Sequence, residues 1–260
     1  MEYTRIKYTV DRRIATVTLS RPEHQNALDD AMINELSHAL HAANKSSSVR
    51  VILLKGEGEV FCSGTDPDLL RRLLKYEFDQ NLDDSKALMK LFVQIHTLRT
   101  PVIAVVRGPA IASGCGLAAV CDLVIASKET ARLGFPEVTL GFVPAVALGF
   151  LVRRIGEGRA RELAMLGTIL SADEAATIGL VNHAVPETQL DETADAFATR
   201  LAESTSPSAI GLVKELLSRV HGMSTNDALE YAANLSALSR MTDDCRRGLN
   251  AVLKDEGVKW

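Results

Sequence analysis

Three short apolar runs limit what this chain can fold into: "VRVILLKG", "PVIAVVRG" and "DLVIAS". Each is continuous rather than alternating, which is the pattern of a strand covered on both faces. Amphipathic helical spacing separates them. Met32, Ile33, Leu36, Leu40 and Ala43 share one helix face, and Leu88, Leu91, Phe92, Ile95 and Leu98 share another that ends at Thr100-Pro101. Ahead of them, Ile6 to Val10 and Ile14 to Leu19 are β-rich and flank Asp11-Arg12-Arg13, the pattern of a hairpin. Asp29 or Asp30 closes the polar connector "RPEHQNALDD" and is placed to cap the helix that follows. Glu77 to Ser85 is polar and is expected to be mobile.

Ser171-Ala172-Asp173-Glu174 is a capping box for a short helix that stops at Gly179. After "GLVNHAVP" the pattern changes, and three helical segments are expected from about Leu190, Pro207 and Ser224. The expectation is therefore an α/β core over residues 1–186 and a helical lobe over 187–260. The lobe either packs independently or covers a neighbouring subunit.

Composition narrows the function classes. The 260 residues carry a formal net charge of −4, which gives no basic footprint for nucleic acid. No apolar run of about 18 residues is present for a membrane span, and the charged, alternating start is unlike a signal peptide. Cys62, Cys115, Cys121 and Cys245 form no C-x-x-C pair and have no histidine at metal spacing. The expectation is a cytoplasmic protein with free thiols and no metal.

Two small-residue loops, "FCSGTD" (61–66) and "ASGCG" (112–116), each follow an apolar run and open a helical pattern. A helix start leaves backbone N–H groups unpaired and favours negative charge. Two such loops face to face would hold an oxyanion between amides. The alternative is that small residues let strand and helix pack closely. A nucleotide-phosphate loop fits poorly: the G-x-x-x-x-G-K-[ST] pattern is absent, and Gly114, Gly116, Ala119 match G-x-G-x-x-A without the expected context. Glu137 is the one charged residue between Leu133 and Phe150. Apolar surroundings raise a carboxyl pKa and suit it to proton transfer, unless it caps a turn or faces solvent. Asp66 and Asp68 have the pattern of helix caps. His24 and His96 lack triad partners, Cys115 fits a buried inert thiol, and Arg153, Arg154, Arg159 and Arg161 fit solvated helix charges.

Five segments, "TVTLSRPEHQNAL", "VFCSGTDPDLL", "TPVIAVVRGPAIASGCGLAAVCDLVIAS", "ARLGFPEVTLGFVP" and "LSADEAATIGLVNHAVP", occur in the order and spacing of the crotonase superfamily, the enoyl-CoA hydratase/isomerase group. The chain resembles that family over nearly its whole length. The resemblance implies a spiral core of ββα turns, a C-terminal helical lobe used in trimerisation, and a homotrimer or a hexamer built as a dimer of trimers. It implies an acyl-CoA thioester substrate, with coenzyme A arriving on the substrate and no further cofactor. The amides of Thr65 and Ser113 match the family's oxyanion hole, and Glu137 matches one of its two catalytic glutamates. His24, Gln25, Ala27, Ser63, Thr65, Asp66, Pro67, Asp68 and Ser113 match stretches that line the CoA and substrate pocket, and Lys254 matches a tail position that reaches phosphates.

Three departures matter, one being that "FVPAVALGFLVRR" follows Gly141 in place of the glycine-rich stretch common in hydratases. Gly116 stands where hydratases of the family carry their other glutamate, and Ser113 stands where the oxyanion loop has glycine. One carboxylate suffices to move a proton between carbons, so the resemblance implies enoyl-CoA isomerisation or hydration with Glu137 as single acid/base. The alternatives are a methylglutaconyl-CoA hydratase-like enzyme that tolerates Gly116, and a CoA-ester-binding protein with little turnover.

Overall fold

A computed structural model describes residues 2–258 and 260. Strands β1 (Ile6–Asp11) and β2 (Ile14–Leu19) form the expected hairpin, with Arg12 and Arg13 both at positive φ in its two-residue turn. The apolar runs become β3 (Val51–Gly56), β4 (Val102–Val106) and β6 (Leu123–Ser127), stacked in parallel. With β9 (His183–Val185) they complete a six-stranded sheet of order β1-β2-β3-β4-β6-β9. Three short strands, β5 (Pro109–Ile111), β7 (Arg132–Gly134) and β8 (Ile169–Ser171), form a second sheet.

The continuous runs are apolar because both faces are covered. Ile52, Leu54, Val102, Ala104, Val106, Val124 and Ala126 face the main core with α1 (Asp30–Lys45) and α4 (Ser113–Ala119). The alternate residues, Val51, Leu53, Ile103, Val105 and Ile125, face α7 (Leu190–Glu203). Helix α7 presents Leu190, Ala194, Ala198 and Ala202, a stripe of period four whose alanines let it lie close to the sheet. Each large aliphatic side chain so buried contributes about 1.5–3 kcal/mol. By packing, then, α7 belongs with the sheet, although it follows residue 186.

Other elements correct the sequence expectations. Glu77 to Ser85 is helical: Glu77 and Gln80 form a capping box, and α3 runs from Phe78 to Thr97, following the short α2 (Pro67–Leu73). The polar stretch is the solvent face of that helix. After α5 (Ala145–Leu166) and α6 (Ala172–Thr177), four helices rather than three follow among the described residues: α7, α8 (Pro207–Val220), α9 (Thr225–Arg240) and α10 (Asp243–Leu253). Thr242 caps the fourth through Cys245 N–H, a signal the sequence reading missed. Arg154 is not a solvated charge. Its guanidinium donates to the carbonyls of Ala119, Cys121 and Leu180 and to Asn182 Oδ1, closing the C-terminal end of α4. Among the described residues no helix is long and apolar enough to cross a membrane.

Candidate active site

The two small-residue loops meet. Ile111 N–H donates to the Cys62 carbonyl at 3.0 Å and Cys62 N–H to the Pro109 carbonyl at 3.2 Å, so the loops are laced by backbone hydrogen bonds. Gly114 is where they touch. A Cβ there would lie 2.2 Å from the Cys62 carbonyl oxygen. Gly64, at φ +103°, lies opposite Ala112, whose Cβ would come within 3.0 Å of a Cβ on Gly64. Gly114 and Gly64 thus allow the close approach that the packing reading expects.

Thr65 is bridged to Leu28. Leu28 N–H donates to the Gly64 carbonyl at 2.7 Å and Asp66 N–H to the Leu28 carbonyl at 3.0 Å. In such a parallel bridge the flanking groups face the partner, so the N–H of Thr65 itself faces away from Leu28. Across from it stands Ser113, with Thr65 Oγ1 and Ser113 Oγ 3.3 Å apart. Ser113 is the first residue of α4, so its N–H has no partner within the helix. Among the described residues neither N–H donates to a protein acceptor. Ser113 keeps negative φ. The strain sits one residue earlier, at Ala112, with φ 54° and ψ −126°, a conformation open to glycine and costly for alanine.

Pairing of β5 with β7 brings the segment before Glu137 to these loops: Ile111 pairs with Gly134, and Ala112 N–H donates to the Gly134 carbonyl at 2.9 Å. Pro136 opens a 3-10 turn over Pro136–Leu140, behind the fully buried Phe135. Glu137 Oε2 is buried with no hydrogen-bond partner. Desolvation raises its pKa above the ordinary carboxylate value, partly opposed by its own N–H. Its charge reaches Cys115, whose thiol is raised mainly by burial and further by Glu137. Burial pushes the Cys62 and Cys121 thiols up to about 12, which leaves them protonated and inert at neutral pH.

Gly116 is walled in. A Cβ at this position would stand 2.8 Å from Phe92 Cε2 and 3.0 Å from Ala147 Cβ. Phe92, on α3, is fully buried and meets Phe150 edge to face at 6.1 Å between centroids. The volume beside residue 116 is thus aromatic and filled.

The remaining sequence-derived residues divide. Gln25, His24 and Ala27 lie in a turn beside the first loop, where Ser63 N–H donates to the Gln25 carbonyl at 3.1 Å. His24 and Gln25 are exposed and Ser63 is half-buried, while Ala27 is buried. Asp66 is turned inward. Its Oδ1 accepts from Asp68 N–H at 2.8 Å and caps α2, while its Oδ2 lies 3.0 Å from the buried Arg21 guanidinium without a well-aligned hydrogen bond. Asp68 is exposed and paired with Arg71, and Pro67 is exposed at the first position of α2. Lys254 follows α10 in an open cleft lined by Arg247, Asn250, Ala251 and Glu256, with none of the loop residues.

Sequence reasoning missed three contributors. Arg21 bridges two helix caps. Asn26, at φ 53°, receives Arg21 N–H and donates to the carbonyls of Glu57 and Val60. Phe92 fills the space at Gly116. The tolerance of asparagine for positive φ was the one available signal.

Comparison with known proteins identifies the family. The enoyl-CoA hydratase/isomerase family profile matches residues 9–260. The chain is 39% identical over 238 residues to a Thermus thermophilus protein that carries an enoyl-CoA hydratase name, covering 92% of this chain and 93% of that one. It is 31% identical over 244 residues to the 2,3-dehydroadipyl-CoA hydratase of Escherichia coli, covering 94% and 93%. The crystal structure of an enoyl-CoA hydratase from Bacillus anthracis superposes with a TM-score of 0.90 at 31% identity, over 98% of each chain. A mixed α/β fold with these loops, matched by sequence and by structure along its length, makes this chain a member of the enoyl-CoA hydratase/isomerase family, the crotonase superfamily.

Proposed function

We propose that this enzyme moves a proton between carbons of an enoyl-CoA, with Glu137 as its single acid/base. The thioester oxygen sits between the N–H groups of Thr65 and Ser113, which take up negative charge as the enolate forms. One such donor is worth about 2.7–4 kcal/mol in a transition state. Glu137 removes a proton from C2 of a 3-enoyl thioester, and the electrons move into the dienolate. Glu137 then returns the proton at C4, giving the 2-enoyl isomer with no net gain or loss of atoms. The reaction needs no cofactor beyond the coenzyme A on the substrate.

The observation that carries this reading is the pair of environments around the loops. Glu137 has a buried, unpartnered carboxylate oxygen, while the space beside Gly116 is closed by Phe92 and Ala147. These environments support a single proton carrier, because an acid at position 116 would press on the Phe92 ring.

Hydration is the second reading, favoured by the hydratase names of the relatives. There Glu137 alone would take a proton from water and pass it to C2, since Asp66 and Asp68 are already paired with arginines. The apolar side chains that α8 to α10 leave exposed, among them Leu217, Leu229, Leu249 and Val252, support assembly into a homotrimer or a hexamer in the cytoplasm.

The test supplies 2-enoyl-CoA and 3-enoyl-CoA separately and follows product mass. Isomerisation leaves the mass unchanged, and hydration adds one water. Glu137→Gln is expected to lose at least about a hundredfold in turnover while binding CoA esters as before. Binding without turnover in the unaltered enzyme would instead identify a CoA-ester-binding protein.

A further inference from the structure

The Leu28–Thr65 bridge that aims the Thr65 N–H is flanked by two carboxylates, Asp29 directly after Leu28 and Asp66 directly after Thr65. Both reach one guanidinium. Arg21 Nη1 lies 3.0 Å from Asp29 Oδ2 and 3.0 Å from Asp66 Oδ2, and it also donates to the Ala27 carbonyl at 3.0 Å. The second oxygen of each carboxylate is used as a helix cap. Asp29 Oδ1 accepts from Met32 N–H at 2.7 Å at the start of α1, and Asp66 Oδ1 accepts from Asp68 N–H at 2.8 Å at the start of α2.

The arrangement is buried and braced from behind. The Arg21 and Asp66 side chains are 7% and 5% exposed. Arg21 N–H is held by Asn26 Oδ1 at 2.9 Å, and Asn26 is tied to the strand side through the Glu57 and Val60 carbonyls. A charge pair out of water is weakly screened, and removing one member leaves the other uncompensated. The Arg21–Asp66 contact lies one residue from Thr65, whose bracing on that side, among the described residues, is the pair of Leu28 hydrogen bonds.

We propose that Arg21 is the positioning residue of the site: by gripping Asp66 and Asp29 together it sets where the Thr65 N–H points. Arg21 touches no reacting atom and acts through Asp66 and Asp29. The inference rests on the proposed role of the Thr65 amide. All three partners converge on one guanidinium nitrogen, Nη1, and a lysine ammonium, one bond shorter on a flexible stem, falls short of that point.

The experiment compares Arg21→Lys, Arg21→Met, Asp66→Asn and Arg21→Met/Asp66→Asn with the unaltered enzyme. Active sites are counted by stoichiometric binding of a thioether analogue of the acyl-CoA. Two quantities are read per active site: kcat and KM with 3-enoyl-CoA, and exchange of the C2 proton of an acyl-CoA into deuterated water. Arg21→Lys is expected to lose about tenfold in kcat and in exchange, with KM changed by less than about threefold. Asp66→Asn should lose activity in the same direction, and the double variant should be no worse than Arg21→Met alone, because both act on one link. Should Arg21→Met fail to fold, Arg21→Lys and Asp66→Asn carry the comparison.

Normal kcat and exchange per active site in Arg21→Lys and Asp66→Asn would overturn the inference, since a merely structural role lowers only the number of active sites. Multiplying losses in the double variant would overturn it as well. Absence of exchange in the unaltered enzyme would remove the enolate reading itself, and this inference with it.

Discussion

Replacing Gly114 by alanine adds one methyl group at the point where the two loops touch. That Cβ would sit 2.2 Å from the Cys62 carbonyl oxygen and 2.8 Å from its carbon, against a practical limit near 3.0 Å. The loops must part by about 0.8 Å, the difference between those two distances, and displacements near 1 Å at a reacting site cost about a hundredfold in rate. The Cys62 carbonyl cannot simply retreat, because it accepts from Ile111 N–H at 3.0 Å. Cys62 lies three residues before Thr65 and Gly114 one after Ser113, so the separation falls on the two free amides. Losing one donor is worth roughly 2.7–4 kcal/mol, a factor of about 10²–10³ in kcat. Overpacking a filled contact costs about 1–3 kcal/mol of stability, which lowers Tm by roughly 2–12 °C. The assay is kcat and KM with 3-enoyl-CoA, together with calorimetric Tm. A variant with kcat within about threefold of the unaltered enzyme and an unchanged Tm would refute both the packing and the oxyanion arguments.

Three further outcomes follow from the same geometry. Ala112→Gly relieves the φ 54°, ψ −126° backbone and is expected to gain about 1 kcal/mol, after the entropy cost of glycine, in denaturant or thermal unfolding. Gly116→Glu does not create a second acid. With Phe92 Cε2 2.8 Å from the new Cβ it should lower stability by about 1–3 kcal/mol and add no hydration product detectable by mass. Because burial raises the Glu137 pKa, the folded state binds this proton more tightly than the unfolded chain. Its contribution to stability is full below the ordinary carboxylate pKa and is lost as pH rises through the raised folded value. Glu137→Gln should therefore raise Tm at neutral pH, with the gain shrinking in acid. The acid limb of kcat/KM should fall above the ordinary carboxylate range.

Much of the architecture was legible because covered strands leave a plain record. Val51 to Leu54 and Val102 to Val106 are apolar at every position, and the structure uses alternate residues against the main core and against α7. The short strands β5, β7 and β8 were not legible, since three residues carry no period, yet their pairing is what brings Gly134, three residues before Glu137, to Ala112. The lone charge of Glu137 in an apolar stretch was visible, and its buried, unpartnered oxygen agrees with that reading. Asp66 was visible as a polar residue in the right loop, but its inward turn depends on Arg21, forty-five positions earlier, and no local pattern records such a pairing. The filled space at Gly116 was hidden for the same reason. Phe92 looked like one more residue of a helix face and is in fact what closes that space.

The central claim is that Glu137 alone moves the proton of an enolate held by the Thr65 and Ser113 amides. The most direct test is C2-proton exchange of an acyl-CoA in deuterated water, compared between the unaltered enzyme and Glu137→Gln at equal occupancy of bound ester. Exchange in the unaltered enzyme and a loss of at least about a hundredfold in Glu137→Gln is the predicted result. Exchange at an undiminished rate in Glu137→Gln would contradict it.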